Sequence, residues 1–247
     1  MRPFALRALL WKETRQLGRN RTALLTAAFL PAVILFLAPI QILLQLRLVG
    51  GSRGLDQLNG LPGFSGVAQP NDLLLQFIYP LLFVIGGMLL PTLTTTYAIV
   101  AERERRSLEL LISLPVSVNE ILGAKLLSVL LVTALVGLPY VAIIITLLIV
   151  LGVADAGIIP VLLAPFLAAV ICSTAASLLL TLLARDFRSA NNLNGVLFVP
   201  VLVVTAITLS AVGGPGRTYV LSAVLLLLAA LALVAALRWV TFERYLE

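Results

Sequence analysis

Charge is scarce in this chain and gathers in one run, Ala101–Lys125 (AERERRSLELLISLPVSVNEILGAK), between two long apolar stretches. The run holds Glu102, Arg103, Glu104, Arg105, Arg106, Glu109, Glu120 and Lys125. On a helical wheel Glu102, Arg106, Glu109 and Ser113 share one face, and Glu102 precedes Arg106 by one turn in the favourable acid-first order. Leu108, Leu111 and Ile112 fall on a second face, with Leu110 and Leu114 on a third. Pro115 ends the helix, because its ring cannot continue the hydrogen-bond ladder. A helix with one polar face and two apolar edges can lie against a membrane domain and still present contacts to a cytoplasmic partner. The plainer reading is that it only seals the bilayer interface.

Catalytic chemistry is poorly served elsewhere. There is no histidine, which excludes zinc-protease motifs and His-based acid–base sites. No span has a charge near its centre, unlike ion-coupled carriers and intramembrane aspartyl proteases. Sodium held by backbone oxygens and hydroxyls alone stays open. No G-x-x-x-x-G-K-[ST] run occurs; Gly213–Thr218, GGPGRT, lacks the lysine. The chain therefore carries no nucleotide site of that kind and no metal site. The lone Cys172 excludes an intrachain disulfide.

The elements that must position the charged run are membrane helices. At 247 residues the chain is 61% hydrophobic and 11% charged, with mean hydropathy +1.11; soluble chains run about 25% charged. A membrane helix needs about 20 apolar residues, and six stretches qualify: roughly 22–46, 73–100, 121–151, 157–184, 193–212 and 218–239. The expected fold is an all-α integral membrane protein, a single transmembrane domain over 1–247, with residues 101–120 as a cytoplasmic loop. Of the 17 Lys and Arg residues, only Arg47, Arg53 and Arg217 fall on the far side, which places both termini in the cytoplasm. The net charge of +6 then reflects topology and anionic lipid, not nucleic acid. The first span is too long for a signal peptide and has no cleavage site after it.

Residues 3–21 read as an interfacial helix, with Leu6, Leu9, Leu10 and Leu17 opposite Lys12, Arg15 and Arg19, and Trp11 at headgroup level. Pro31 and Pro39 interrupt the first span. The outside loop 47–72 is rich in Gly, Ser, Pro and Asn. The second span carries Pro80, Gly86, Gly87 and Pro91, then Thr92, Thr94, Thr95 and Thr96. Two readings stand for it: a helix that bends and lines a path through Gly86, Gly87, Pro91, Thr94 and Thr95, or packing by small and hydroxyl residues. Ala164, Ala168, Cys172 and Ala176 recur every fourth residue in the fourth span and read as a packing ridge. Asn191, Asn192 and Asn194, at the start of the fifth, suit a helix cap, with a gate as the alternative.

The order ERE, R-S-L-E, L-L, P-V-S, E-I-L-G-A-K resembles the loop between the second and third spans of ABC type-2 exporter permeases, the membrane subunits of ATP-binding-cassette exporters. N-x-x-N-G followed by Pro200 is also similar to that family's fifth span. The family carries Gly-Thr where this chain has Arg106 and Ser107, and the loss of Gly stiffens the turn into the helix. Only Gly213–Gly216 joins the last two spans, so the chain resembles the compact branch that lacks re-entrant helices there. The resemblance implies a coupling helix docking on an ATPase through Glu102, Glu104, Arg105, Arg106, Leu108, Glu109 and Leu111. It further implies two ABC ATPase subunits, which bind ATP and Mg in trans, and a second membrane subunit, alike or different. The competing readings are a passive channel or ion-linked carrier, and a scaffold that recruits a soluble partner.

Overall fold

A computed structural model describes residues 11, 29, 33–37, 40–41, 70–104, 118–184, 187–214 and 216–239. The expected interfacial helix and most of the first span lie outside these residues. Every regular element among the described residues is helical. The long helices are α1 (Tyr79–Glu104), α2 (Val118–Val150), α3 (Ile158–Leu183), α4 (Phe187–Ala211) and α5 (Arg217–Trp239). A helical turn, Pro70–Leu73, and a π-helical segment, Leu74–Ile78, lead into α1. All five helices are long and apolar enough to cross a membrane; in lipid, only such a closed ladder satisfies the backbone.

The helix starting positions separate two kinds of polar residue. Helix α4 begins at Phe187, not at Leu193. Asn191 and Asn192 lie exposed within it, while Asn194 is buried. Polar side chains end an apolar window in the sequence without ending a helix, so the amides do not cap this one. Lys125 is likewise not a solvated loop charge: it lies inside α2 and is 1% exposed.

Helix α3 sits at the centre, packed against α1 on one side and α5 on the other. Its small-residue ridge allows this. Ala168, Cys172 and Ala175 cluster with Val84 and Met88 of α1 and with Leu221, Leu225 and Ala229 of α5. Small side chains let backbones approach, and close packing then supplies the dispersion that lipid cannot. Gly87 marks the tightest point: a Cβ there would stand 2.9 Å from the Phe166 carbonyl oxygen and 3.1 Å from the Ala169 Cβ. Its geometry is that of a seam between helices.

A second cluster joins α1, α2 and α3 through Tyr79, Phe83, Val141, Ile145, Leu148, Leu162 and Phe166. Phe83 meets Tyr79 edge-on at 6.5 Å and Phe166 at 6.3 Å, the arrangement that aromatic quadrupoles favour. From the first span, Phe36 in the π-helical segment Val33–Leu37 meets Tyr140 of α2 edge-on at 5.7 Å. Helix α4 is the most peripheral, with 22% of its apolar window buried against 56% for α1 and α3. Val196, Val199, Val203 and Ile207 form its exposed face.

Candidate functional site

The charged run is described only at its edges. Helix α1 continues through Glu102 to Glu104, so the second span delivers the run as an unbroken helix. Arg105, Arg106, Leu108, Glu109 and Leu111 lie outside the described residues. Gly86, Gly87, Pro91, Thr94 and Thr95 are all buried in α1.

Pro91 leaves the Gly87 carbonyl without its helical donor, and the hydroxyls that follow bond to other carbonyls of the same helix. Thr92 Oγ1 donates to the Met88 carbonyl at 3.0 Å and the Leu89 carbonyl at 2.8 Å. Thr94 Oγ1 donates to the carbonyls of Leu90 (2.8 Å) and Pro91 (3.2 Å). Thr96 Oγ1 donates to Thr92 at 2.8 Å. Across the seam between α1 and α3, Ser173 Oγ donates to the Met88 carbonyl at 2.9 Å. It sets the register, with Met88 opposite Ser173 and the following hydroxyls of both helices one and two turns further along.

Those hydroxyls belong to a buried polar band. Thr95, Thr133, Ser177 and Asn194, one each from α1, α2, α3 and α4, are all buried. Asn194 Nδ2 donates to Thr96 Oγ1 at 2.8 Å, tying α4 to α1. Thr95 Oγ1, Thr133 Oγ1, Ser177 Oγ and Asn194 Oδ1 have no hydrogen-bond partner. Gly137 lies against Leu90 and Phe166, so Thr133, one helical turn earlier, falls near the same depth. An unsatisfied buried polar group costs about 1–3 kcal/mol, and these four atoms come from four different helices. The sequence marked the threonines of α1 and, as a cap or gate, Asn194 of α4, whereas Thr133 of α2 carries no local signal of its own.

A separate cleft of about 360 Å³ opens at the end of the bundle where α1, α3 and α5 begin. Between the cleft and the band stands the Tyr79–Phe83–Phe166 stack, whose members are no more than 1% exposed. Gly152 and Gly214, with φ of +66° and +81°, make the turns at the cleft end in a conformation that side-chain-bearing residues resist. The Gly214 carbonyl accepts a hydrogen bond from Arg217 Nε at 3.0 Å.

Among the described residues no group of His, Cys, Asp and Glu could hold a metal ion. No curated protein and no solved structure is significantly similar to the chain. The sequence model for ABC-2 family transporter proteins matches residues 7–218, which takes in the charged run, the polar band and the start of α5. A membrane bundle without a nucleotide motif, matched over most of its length in this way, belongs to the ABC-2 family of transporter proteins as a permease.

Proposed function

We propose that the chain is the membrane subunit of an exporter whose ATP is hydrolysed by separate ABC ATPases, docked on the run between α1 and α2. The family match across residues 7–218 carries this reading. Two copies, or this chain and a related one, stand on two ATPase subunits. Closure of the ATPases moves the charged run, and α1 takes that movement into the bundle as one continuous helix to Glu104. The polar band, with its four unpartnered acceptors or donors, is the part of the path that meets polar groups of the substrate. The orientation follows the Lys and Arg asymmetry, with the charged run in the cytoplasm.

Affinity purification in mild detergent tests the assembly, with an ABC ATPase expected to co-purify at fixed stoichiometry. A chain that comes out without any nucleotide-hydrolysing partner would point to the channel or scaffold reading. Asn194→Leu tests the band. Loss of one interhelical hydrogen bond within a membrane costs about 0.6 kcal/mol, and at most about 1.7, so the variant should insert and accumulate normally. Its transport rate is expected to fall several-fold in reconstituted vesicles. Unchanged transport with only a small drop in thermal stability would reduce Asn194 to a packing role.

A further inference from the structure

Three of the unpartnered atoms in the polar band fall on one seam within a helical turn. Met88 of α1 faces Ser173 of α3 through their hydrogen bond. Thr95 lies seven residues beyond Met88 and Ser177 four beyond Ser173, spacings that keep each on the same face of its helix. Both helices run away from the cleft, so the helical rise separates the two hydroxyls in height by only about 5 Å. Asn194 reaches that level from α4, held by its bond to Thr96, the neighbour of Thr95. Helices α1, α3 and α4 pack against one another. Thr95, Ser177 and Asn194 are 1%, 0% and 2% exposed, and Thr95 Oγ1, Ser177 Oγ and Asn194 Oδ1 have no hydrogen-bond partner.

The network fixes what each atom offers. Thr96 Oγ1 gives its proton to the Thr92 carbonyl, so it presents a lone pair to Asn194, and the amide turns Nδ2 toward it. Asn194 Oδ1 is left as a pure acceptor. The hydroxyls of Thr94, Thr174, Thr181 and Thr205 donate to the carbonyl one turn back, as hydroxyls inside helices do. Those of Thr95 and Ser177 do not, and stay available as donors. One acceptor and two donors complement a single alcohol, which has one O–H and two lone pairs. We propose that Thr95, Ser177 and Asn194 bind the hydroxyl of an uncharged amphiphilic alcohol. A carboxylate or an ether has no proton for Asn194 Oδ1. An ammonium has no lone pair for the two hydroxyls, and its charge would lie among neutral side chains without a counter-ion. The assignment rests on the reading of the band as part of the substrate path and adds the class of group it takes.

Photolabelling of the full chain in lipid vesicles tests this, with a diazirine-bearing octanol as the probe. Mass spectrometry compares insertion into residues 88–96, 173–181 and 190–198 with insertion around Leu131 and Leu135, on the exposed face of α2. Octanol is expected to displace the probe from the site at a concentration about tenfold lower than its methyl ether, the worth of one good hydrogen bond. Octanoate and octylammonium should not displace it. Thr95→Val combined with Ser177→Ala removes no hydrogen bond within the chain, so the unfolding temperature should hold or rise while site labelling falls about tenfold. Asn194→Asp should let octylammonium compete, because the carboxylate supplies the missing counter-ion. Equal competition by the ether, or site labelling no greater than that on the exposed face of α2, would overturn the proposal. Labelling in the expected order with transport untouched by Asn194→Leu would leave the site standing and take it out of the path. Transport lost in that variant without any preference for the alcohol would keep the path and overturn the assignment.

Discussion

Leu111→Asp is expected to abolish substrate-stimulated ATP hydrolysis by the assembled transporter while leaving insertion of the chain intact. In the proposed complex the leucines of the charged run fill an apolar groove on the ATPase. An aspartate there is a charge moved out of water with no partner. Central interface residues of this kind contribute at least about 2 kcal/mol, and each 1.4 kcal/mol is tenfold in affinity, so docking should weaken by about thirtyfold or more. Glu109→Arg should act through a different term. It reverses the sign of a contact on the polar face, and its effect should shrink as salt is raised, since exposed charges are screened within about 8 Å at physiological ionic strength. Reconstituted complexes with matched protein amounts provide the measurement. If both variants hydrolyse ATP at the unmodified rate, the run between α1 and α2 does not couple anything.

Gly87→Ala should destabilise the bundle, and Gly87→Leu should keep it from assembling. The added Cβ meets backbone, the Phe166 carbonyl at 2.9 Å, and a main-chain atom cannot step aside without moving α3. Overpacking of this sort costs about 1–3 kcal/mol for a single methyl, and more for a branched side chain. Gly137→Ala makes the useful contrast. Its nearest atom is closer, Phe166 Cζ at 2.7 Å, but that atom and Leu90 Cδ1 at 3.0 Å are ends of side chains. Leu90 can change rotamer and Phe166 can tilt as a whole side chain, since Cζ lies on its ring axis, so the cost should be smaller than moving main chain. Thermal unfolding in detergent ranks the three variants. A Gly87→Ala protein as stable as the unmodified chain would mean that α1 and α3 are less tightly joined than the structure has them.

This pair also shows where the sequence was legible. Five helices stand over five of the stretches whose length and apolarity demanded a membrane, because lipid leaves the backbone no alternative. The ridge of Ala168, Cys172 and Ala176 was readable from its four-residue spacing, and all three are buried. Gly87 was visible as a glycine, but hinge and seam look alike until Phe166 is known to lie opposite. Asn194 and Thr96 are 98 positions apart, and no local pattern pairs them. Lys125 falls within the stretch 121–151 read as the third span, and the structure buries it in α2, which starts slightly earlier, at Val118. The residues expected to dock the ATPase remain a matter of sequence, since Arg105 to Leu111 lie outside the described structure.

The stacked rings of Tyr79, Phe83 and Phe166 bear on something other than substrate. Hydrated sodium or a proton relay needs a file of water, and among the described residues the buried rings packed between α1, α2 and α3 stand across such a route. A bacterium or vesicle filled with this protein alone should therefore hold its membrane potential as well as one without it.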